Sequence, residues 1–243
     1  MKRSQINSSI ETAMKVFEKL GLNLPPFAFW SVDEWDKKGK EADEIRKASI
    51  GWDVTDFGQN NFKLIGRTLF TLRNGYRLDE DGNFTKVYAE KFILDPPNQH
   101  APLHFHYSKM EDIINRAGGN ILIKLYKGTT DGKCSDENFT VQVDGVTRKL
   151  EPGTIIRLEP GQSVCLAPYI IHSFYGEEGT GVEVNGLKYT VSGEVSSVCD
   201  DWNDNCFLDP MERFPIVEED EPRKYYLCNE YPEAQMINQK PMG

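Results

Sequence analysis

From about residue 50 onward the chain is written as short runs of alternating apolar and polar residues, cut by Gly, Asn, Asp and Pro. A period of two is the signature of half-buried β-strands, and breaks every eight to twelve residues leave room for one strand at a time. The runs at 62–65, 68–73, 87–94, 119–127, 139–143 and 147–150 are predicted strands. Asn74-Gly75, Asp81-Gly82, Asp144-Gly145, Pro152-Gly153 and Pro160-Gly161 are the breaks. Such a rhythm points to an all-β unit, a small barrel or a double-sheet jelly roll. Ahead of it, residues 8–21 read as an amphipathic helix. Ser8 and Glu11 make a capping box, Ile10, Ala13, Phe17 and Leu20 share a face, and Gly21 ends it. This helix is expected on the outside of the sheet. Ser31 to Glu34 opens a second short helix, and 36–49 reads as a charged, solvated helical face. Phe27, Phe29, Trp30 and Trp35 are expected to pack in the core or an interface rather than to line a ligand pocket.

His104 and His106 are two residues apart, so on a strand both imidazoles face the same side. Glu111 follows after a four-residue spacer, enough for a turn that returns a carboxylate to that side. His172 stands far downstream, in Pro168-Tyr-Ile-Ile-His172. The chain has four histidines and three fall in this pattern, which makes coincidence a poor explanation. Three imidazoles and one carboxylate suit a borderline divalent ion such as Mn, Fe, Co, Ni or Zn better than Ca or Mg, and do not choose among those. Closed structural zinc cages are mainly all-Cys or mixed Cys/His. This set leaves coordination positions open, as catalysis or ligand capture requires. His100 reads either as a group near the site or as a loop histidine behind Pro96-Pro97-Asn98-Gln99.

Net charge is -10, from 28 basic and 38 acidic side chains, which argues against nucleic acid or an anionic membrane as partner. No window approaches the roughly 20 apolar residues that span a bilayer. No apolar run follows Met1-Lys2-Arg3 to make a signal peptide. The five cysteines show no C-x-x-C spacing and read as reduced thiols of a cytoplasmic protein. With 243 residues, 39% of them hydrophobic, the chain is long and apolar enough for one large domain with a substantial core.

The pattern H-x-H-x4-E-x6-G, followed by a strand-rich spacer and P-x3-H, resembles the two-part metal motif of the cupin superfamily. More narrowly, HFHYSKMEDIINRAGGNI, GEVSSVCDDWNDNCF and RFPIVEEDEP resemble the D-lyxose isomerases, cupin-type ketol-isomerases, and the similarity covers most of the chain. The resemblance implies one cupin (jelly-roll) β-barrel domain over 1–243, with a helical extension at 1–50, a barrel core at 60–198 and a mostly irregular C-terminal extension at 199–243. It implies a metal-dependent isomerase of D-lyxose and D-xylulose, and of D-mannose and D-fructose, acting by cis-enediol proton transfer. Manganese would be the ion, with Co, Ni, Fe or Zn as the alternatives, and the enzyme a homodimer.

On that resemblance His104, His106, Glu111 and His172 hold the metal. Glu194 is the expected base, because coordination to a cation makes Glu111 a weak one. Lys109 would donate to a sugar hydroxyl or to the developing enediolate oxygen. Asp204, from the carboxylate-rich stretch 200–205, and Arg213 are the expected substrate contacts, while the acidic run 218–221 reads as solvated. Two other readings remain open: a cupin dioxygenase on the same three-His, one-Glu set, and a non-catalytic sugar-binding cupin. A hydride shift instead of proton transfer would retain the C2 hydrogen.

Overall fold

A computed structural model describes residues 1–78 and 83–234; the predicted break at Asp81-Gly82 lies outside the described residues. Helix α1 (Arg3–Lys19) is followed by the one-turn helices α2 (Val32–Trp35) and α3 (Asp43–Lys47). Strands then run as β1 (Gly51–Thr55), β2 (Arg67–Arg73), β3 (Ala89–Asp95), β4 (His104–His106), β5 (Glu111–Ala117), β6 (Ile121–Lys127) and β7 (Phe139–Val143). They continue as β8 (Val146–Leu150), β9 (Ile155–Leu158), β10 (Ser163–Leu166), β11 (Ile170–Gly176), β12 (Val182–Val184), β13 (Leu187–Ser196) and β14 (Asn205–Phe207). Among the described residues these form two antiparallel sheets. One has the order β1-β2-β3-β13-β5-β10-β7-β8, with β12 pairing to β13; the other is β14-β4-β11-β6-β9. The all-β, two-sheet architecture expected from the turn rhythm is therefore present, with the N-terminal helix outside it.

The pleat explains where each apolar side chain goes. Leu69, Ile93 and Ile113 of the larger sheet meet Ile123, Leu125 and Phe174 of the smaller one, and this contact is the barrel interior. Their neighbours Phe70 and Leu94, one residue on, point to the opposite face, where Ile6, Ile10, Val16 and Phe17 of α1 cover them. Strands β1 to β3 are thus largely buried on both faces, and polar residues such as Asp53, Arg67, Thr68 and Lys91 are buried within them. Each fully buried side chain of this kind contributes roughly 1.5–3 kcal/mol relative to exposure. At the β7–β8 hairpin Asp144 and Gly145 both have positive φ (50° and 77°), the two-residue turn that matches strand twist.

Several expectations need correction. The first helix begins at Arg3 rather than Ser8, and the Gln5 side chain accepts from the Lys2 N–H in place of a Ser8 cap. Arg3 and Asn7 occupy buried positions on its inner face, so the helical period is carried by polar residues that hydropathy does not count. Their partners are Glu230 and residues of the acidic run 218–221, which is docked on the helix while Glu218, Glu219 and Asp220 stay exposed to solvent as expected. Glu219 accepts from Arg3, Asp220 from Ser4 and Glu221 from Asn7. Carboxylates at a helix N-terminus also suit the unpaired N–H groups there. Residues 62–65 form a turn instead of a strand, with Ile65 bridged to His100. A Cβ on Gly66 would stand 2.6 Å from the Phe62 ring, so this tight fold-back requires glycine. The stretch 36–49 holds a short 3-10 turn and α3 only. Trp35 is buried and stacks on Tyr231, with ring centroids 4.1 Å apart, and Phe27 packs on Phe70 at 5.2 Å. No helix among the described residues is long and apolar enough to cross a membrane.

Candidate metal centre and active-site cavity

Strand β4 places His104 and His106 on one face and sends Phe105 to the other, where it stacks on Tyr169 at 5.2 Å. Strand β11 pairs with β4 so that His172 lies opposite His104. One ligand atom from each of the three histidines falls within 4.8 Å of the others, the one such group among the described residues. Each Nδ1 donates to a backbone carbonyl: His104 to Pro102 O at 2.8 Å, His172 to Ile170 O at 3.0 Å, and His106 to Asp204 O at 3.3 Å. A carbonyl only accepts, so Nδ1 carries a proton, and in the neutral ring Nε2 is then the atom that can bind a metal. Burial, with His172 and His106 close by, holds His104 well below the usual imidazole range, which keeps it neutral.

Glu111 opens β5 on the facing sheet. Its Oε1 lies 3.0 Å from His172 Nε2 and 3.4 Å from His106 Nε2, yet it is buried without a hydrogen-bond partner. Unprotonated nitrogens aimed at an unpaired carboxylate oxygen repel one another in a low-dielectric interior, and a cation between them removes the conflict. The donor set therefore fits a borderline divalent metal. Burial raises the Glu111 carboxyl, but the opposing pull, led by the Lys109 ammonium, wins, and the net shift is well below the ordinary range.

Lys109 Nζ bridges Glu111 Oε2 at 2.8 Å and Glu194 Oε1 at 2.9 Å, all three groups buried. Glu194 comes from β13, beside β5 in the larger sheet, so both carboxylates enter the same cavity. Burial works to raise Glu194, but Lys109 and Lys91 win and hold it ionised. Lys91, Asp201 and Arg213 line the same cavity. Arg213 Nη2 donates to Asp53 and, at 3.1 Å, to Asp201, while its Nη1 is buried with no partner. Phe57, Phe174 and Phe207 supply apolar wall.

Of the residues singled out in the sequence, His104, His106, His172, Glu111, Lys109, Glu194 and Arg213 all line this one cavity. Asp204 does not. Its carboxylate accepts from Ser108 N–H and Oγ at 2.8 and 2.9 Å and from Lys109 N–H at 2.9 Å, which fixes the β4–β5 turn. Asp201, three residues earlier, is the carboxylate of that stretch that reaches the cavity. His100 lies outside the lining, its Nδ1 on Asn98 O at 3.2 Å. Lys91 and Asp201 were missed. Lys91 had a signal, since it shares strand parity with the inward-facing Ile93. Asp201 sits in a loop and had none.

The sequence profile described as D-lyxose isomerase matches residues 1–231. The chain is 43% identical over 232 residues to a D-lyxose/D-mannose isomerase from Escherichia coli O157:H7, covering 95% of this chain and 98% of that protein. It is 42% identical to a D-lyxose/D-mannose isomerase from Serratia proteamaculans, with the same coverage. Among solved structures, the ligand-free L-ribose isomerase of Cellulomonas parahominis is similar at a TM-score of 0.56 and 14% identity, over 87% of this chain and 94% of that one. At that identity the likeness is one of fold.

Proposed function

The chain belongs to the D-lyxose isomerase family, and from that we infer a metal-dependent aldose–ketose isomerase that interconverts D-lyxose with D-xylulose and D-mannose with D-fructose. One observation carries the reading: a second buried carboxylate, Glu194, stands beside the His104/His106/His172/Glu111 group and shares Lys109 with it. His104, His106, Glu111 and His172 hold the ion, which we take to be manganese. When bound, it would supply Lewis acidity for a hydroxy-carbonyl sugar. Glu194 takes the proton from C2 of the open-chain aldose, leaving a cis-enediol, and returns it to C1 on the same face. The O2 hydroxyl proton ends on O1, so the product carries C2=O and a CH2OH group at C1. Lys109 donates to the oxygen on which negative charge develops. Arg213, through its unpartnered Nη1, donates to a hydroxyl at the far end of the sugar. The chain acts as a homodimer, with the exposed Tyr107, Met110 and Trp202 as apolar surface for the contact. Its free cysteines suit a reducing cytoplasm.

The test is made on protein stripped with a chelator, reloaded with Mn2+ in D2O and given D-lyxose. Manganese-dependent D-xylulose with deuterium incorporated at carbon is the expected NMR result. Ketose formed with the original hydrogen fully retained would replace proton transfer by a hydride shift. No ketose from any pentose or hexose would end the isomerase reading. A solution mass equal to one chain would remove the dimer.

A further inference from the structure

Beyond the assignment of the base, and resting on it, we infer that Ser196 and Cys199 are positioning residues. Together with Lys109 they clamp one oxygen of Glu194 and leave the other to carry the proton. Three donors converge on Oε1: Lys109 Nζ at 2.9 Å, Ser196 Oγ at 3.0 Å and Cys199 Sγ at 3.2 Å. A carboxylate oxygen offers two lone pairs, so three donors more than saturate it. The polar neighbour of Oε2 among the described residues is Lys91 Nζ, at the looser distance of 3.4 Å. Oε2 is the oxygen with capacity to take a proton from carbon.

Competing contacts do not undo the clamp. The Ser196 hydroxyl has one proton and a second acceptor within reach, Ser197 O at 2.8 Å. An ionised carboxylate is the stronger acceptor of the two. Cys199 also needs its proton in order to donate, and burial, reinforced by Glu194, pushes the thiol up to about 11. Cys199 is itself held in place. Its N–H donates to Asn74 Oδ1 at 3.0 Å, and its carbonyl accepts from Asn74 Nδ2 at 3.0 Å. That same amide donates to Ala48 O at 3.1 Å, so Asn74, in the loop that follows β2, ties the segment after β13 to the stretch after α3. Rotating the Glu194 carboxylate would break all three donor contacts. A base that must serve two adjacent carbons in turn needs a fixed orientation of this kind.

The test uses the full chain loaded with Mn2+, assayed on D-lyxose, with metal content and melting temperature recorded for each variant. Glu194→Gln is the control: if it still turns over, the base assignment fails, whatever the clamp does. With that control inactive, Cys199→Ala is expected to lower kcat about tenfold at unchanged KM, the size of one hydrogen bond to a charged group. Cys199→Ser restores an O–H donor and is expected to recover kcat to within about twofold of wild type. Ser196→Ala is expected to resemble Cys199→Ala. Wild-type kcat in Cys199→Ala, a change confined to KM, or a serine variant as slow as the alanine one would overturn the clamp. Should Cys199→Ala not fold, Ser196→Ala decides in the same way: reduced kcat at constant KM supports the clamp, and wild-type kcat overturns it.

Discussion

At the scale of single residues, the cavity is organised by groups that never need to touch a sugar. The three histidines are set in their tautomer by the carbonyls of Pro102, Ile170 and Asp204. Asp204 does a second task, because its side chain receives Ser108 and Lys109 backbone donors and so places both Lys109 and the approach to Glu111. Partners of metal ligands matter for affinity nearly as much as the ligands. Asp204→Ala is accordingly expected to weaken Mn2+ binding by about tenfold or more, read by calorimetric titration, and to lower kcat. Unchanged metal affinity would show that the turn holds its shape without that carboxylate. Arg213 makes a contrast: two carboxylates occupy its Nη2 and none its Nη1, so both Nη1 donors are unpaired in a residue that lines the cavity.

At the scale of elements, the N-terminal helix and the C-terminal segment are one unit, joined by a buried guanidinium. Arg3 is fully buried and pairs with Glu219 at 2.7 Å and Glu230 at 2.5 Å. Arg3→Ala leaves Glu230 with only the more distant Arg223, at 3.5 Å, and a loss of about 3 kcal/mol is expected, the low end for a broken buried pair because Glu219 is half-exposed. Urea unfolding measures it; a loss under about 1 kcal/mol would make the contact an ordinary surface pair. The same contact has a pH signature. Hydrogen bonding to Arg3 holds the Glu219 carboxyl down at about 2, below its unfolded value of about 4.3. A depressed folded value means the contribution is complete above the unfolded one and is lost as pH falls through the folded one. Stability is therefore expected to decline between about pH 4 and pH 2, and Glu219→Gln to flatten that part of the curve. An acid limb identical in the variant would assign the decline to other carboxylates.

At the scale of the whole molecule, the four proposed metal donors come from two sheets: three imidazoles from β4 and β11, and Glu111 from β5. An ion held there links the sheets and binds the native chain only, so it adds to stability by mass action. Excess Mn2+ at about a thousand times its dissociation constant is expected to contribute about 4 kcal/mol, and thus to raise the melting temperature by about 10 °C over chelator-treated protein. Identical melting curves would mean that the four donors do not share an ion. The sequence by itself determined a good deal of this arrangement. A period of two cut by turns specifies antiparallel strands, and the two-residue step from His104 to His106 puts both rings on one face wherever the strand lies, because both rules are local. The same parity carried Lys91 and went unread. Helix α1 was placed correctly on the outside of the sheet but started late, since Arg3 and Asn7 are core-facing only through Glu219, Glu221 and Glu230, more than 200 positions away. Tertiary structure alone decided that Asp201 and not Asp204 reaches the cavity, and that Cys199 joins Ser196, which strand parity already sets beside Glu194, on one oxygen of that carboxylate. Those outcomes depend on how a loop closes over strands distant in the chain. Loop closure is set by long-range packing and hydrogen bonding, which no local pattern of residues encodes.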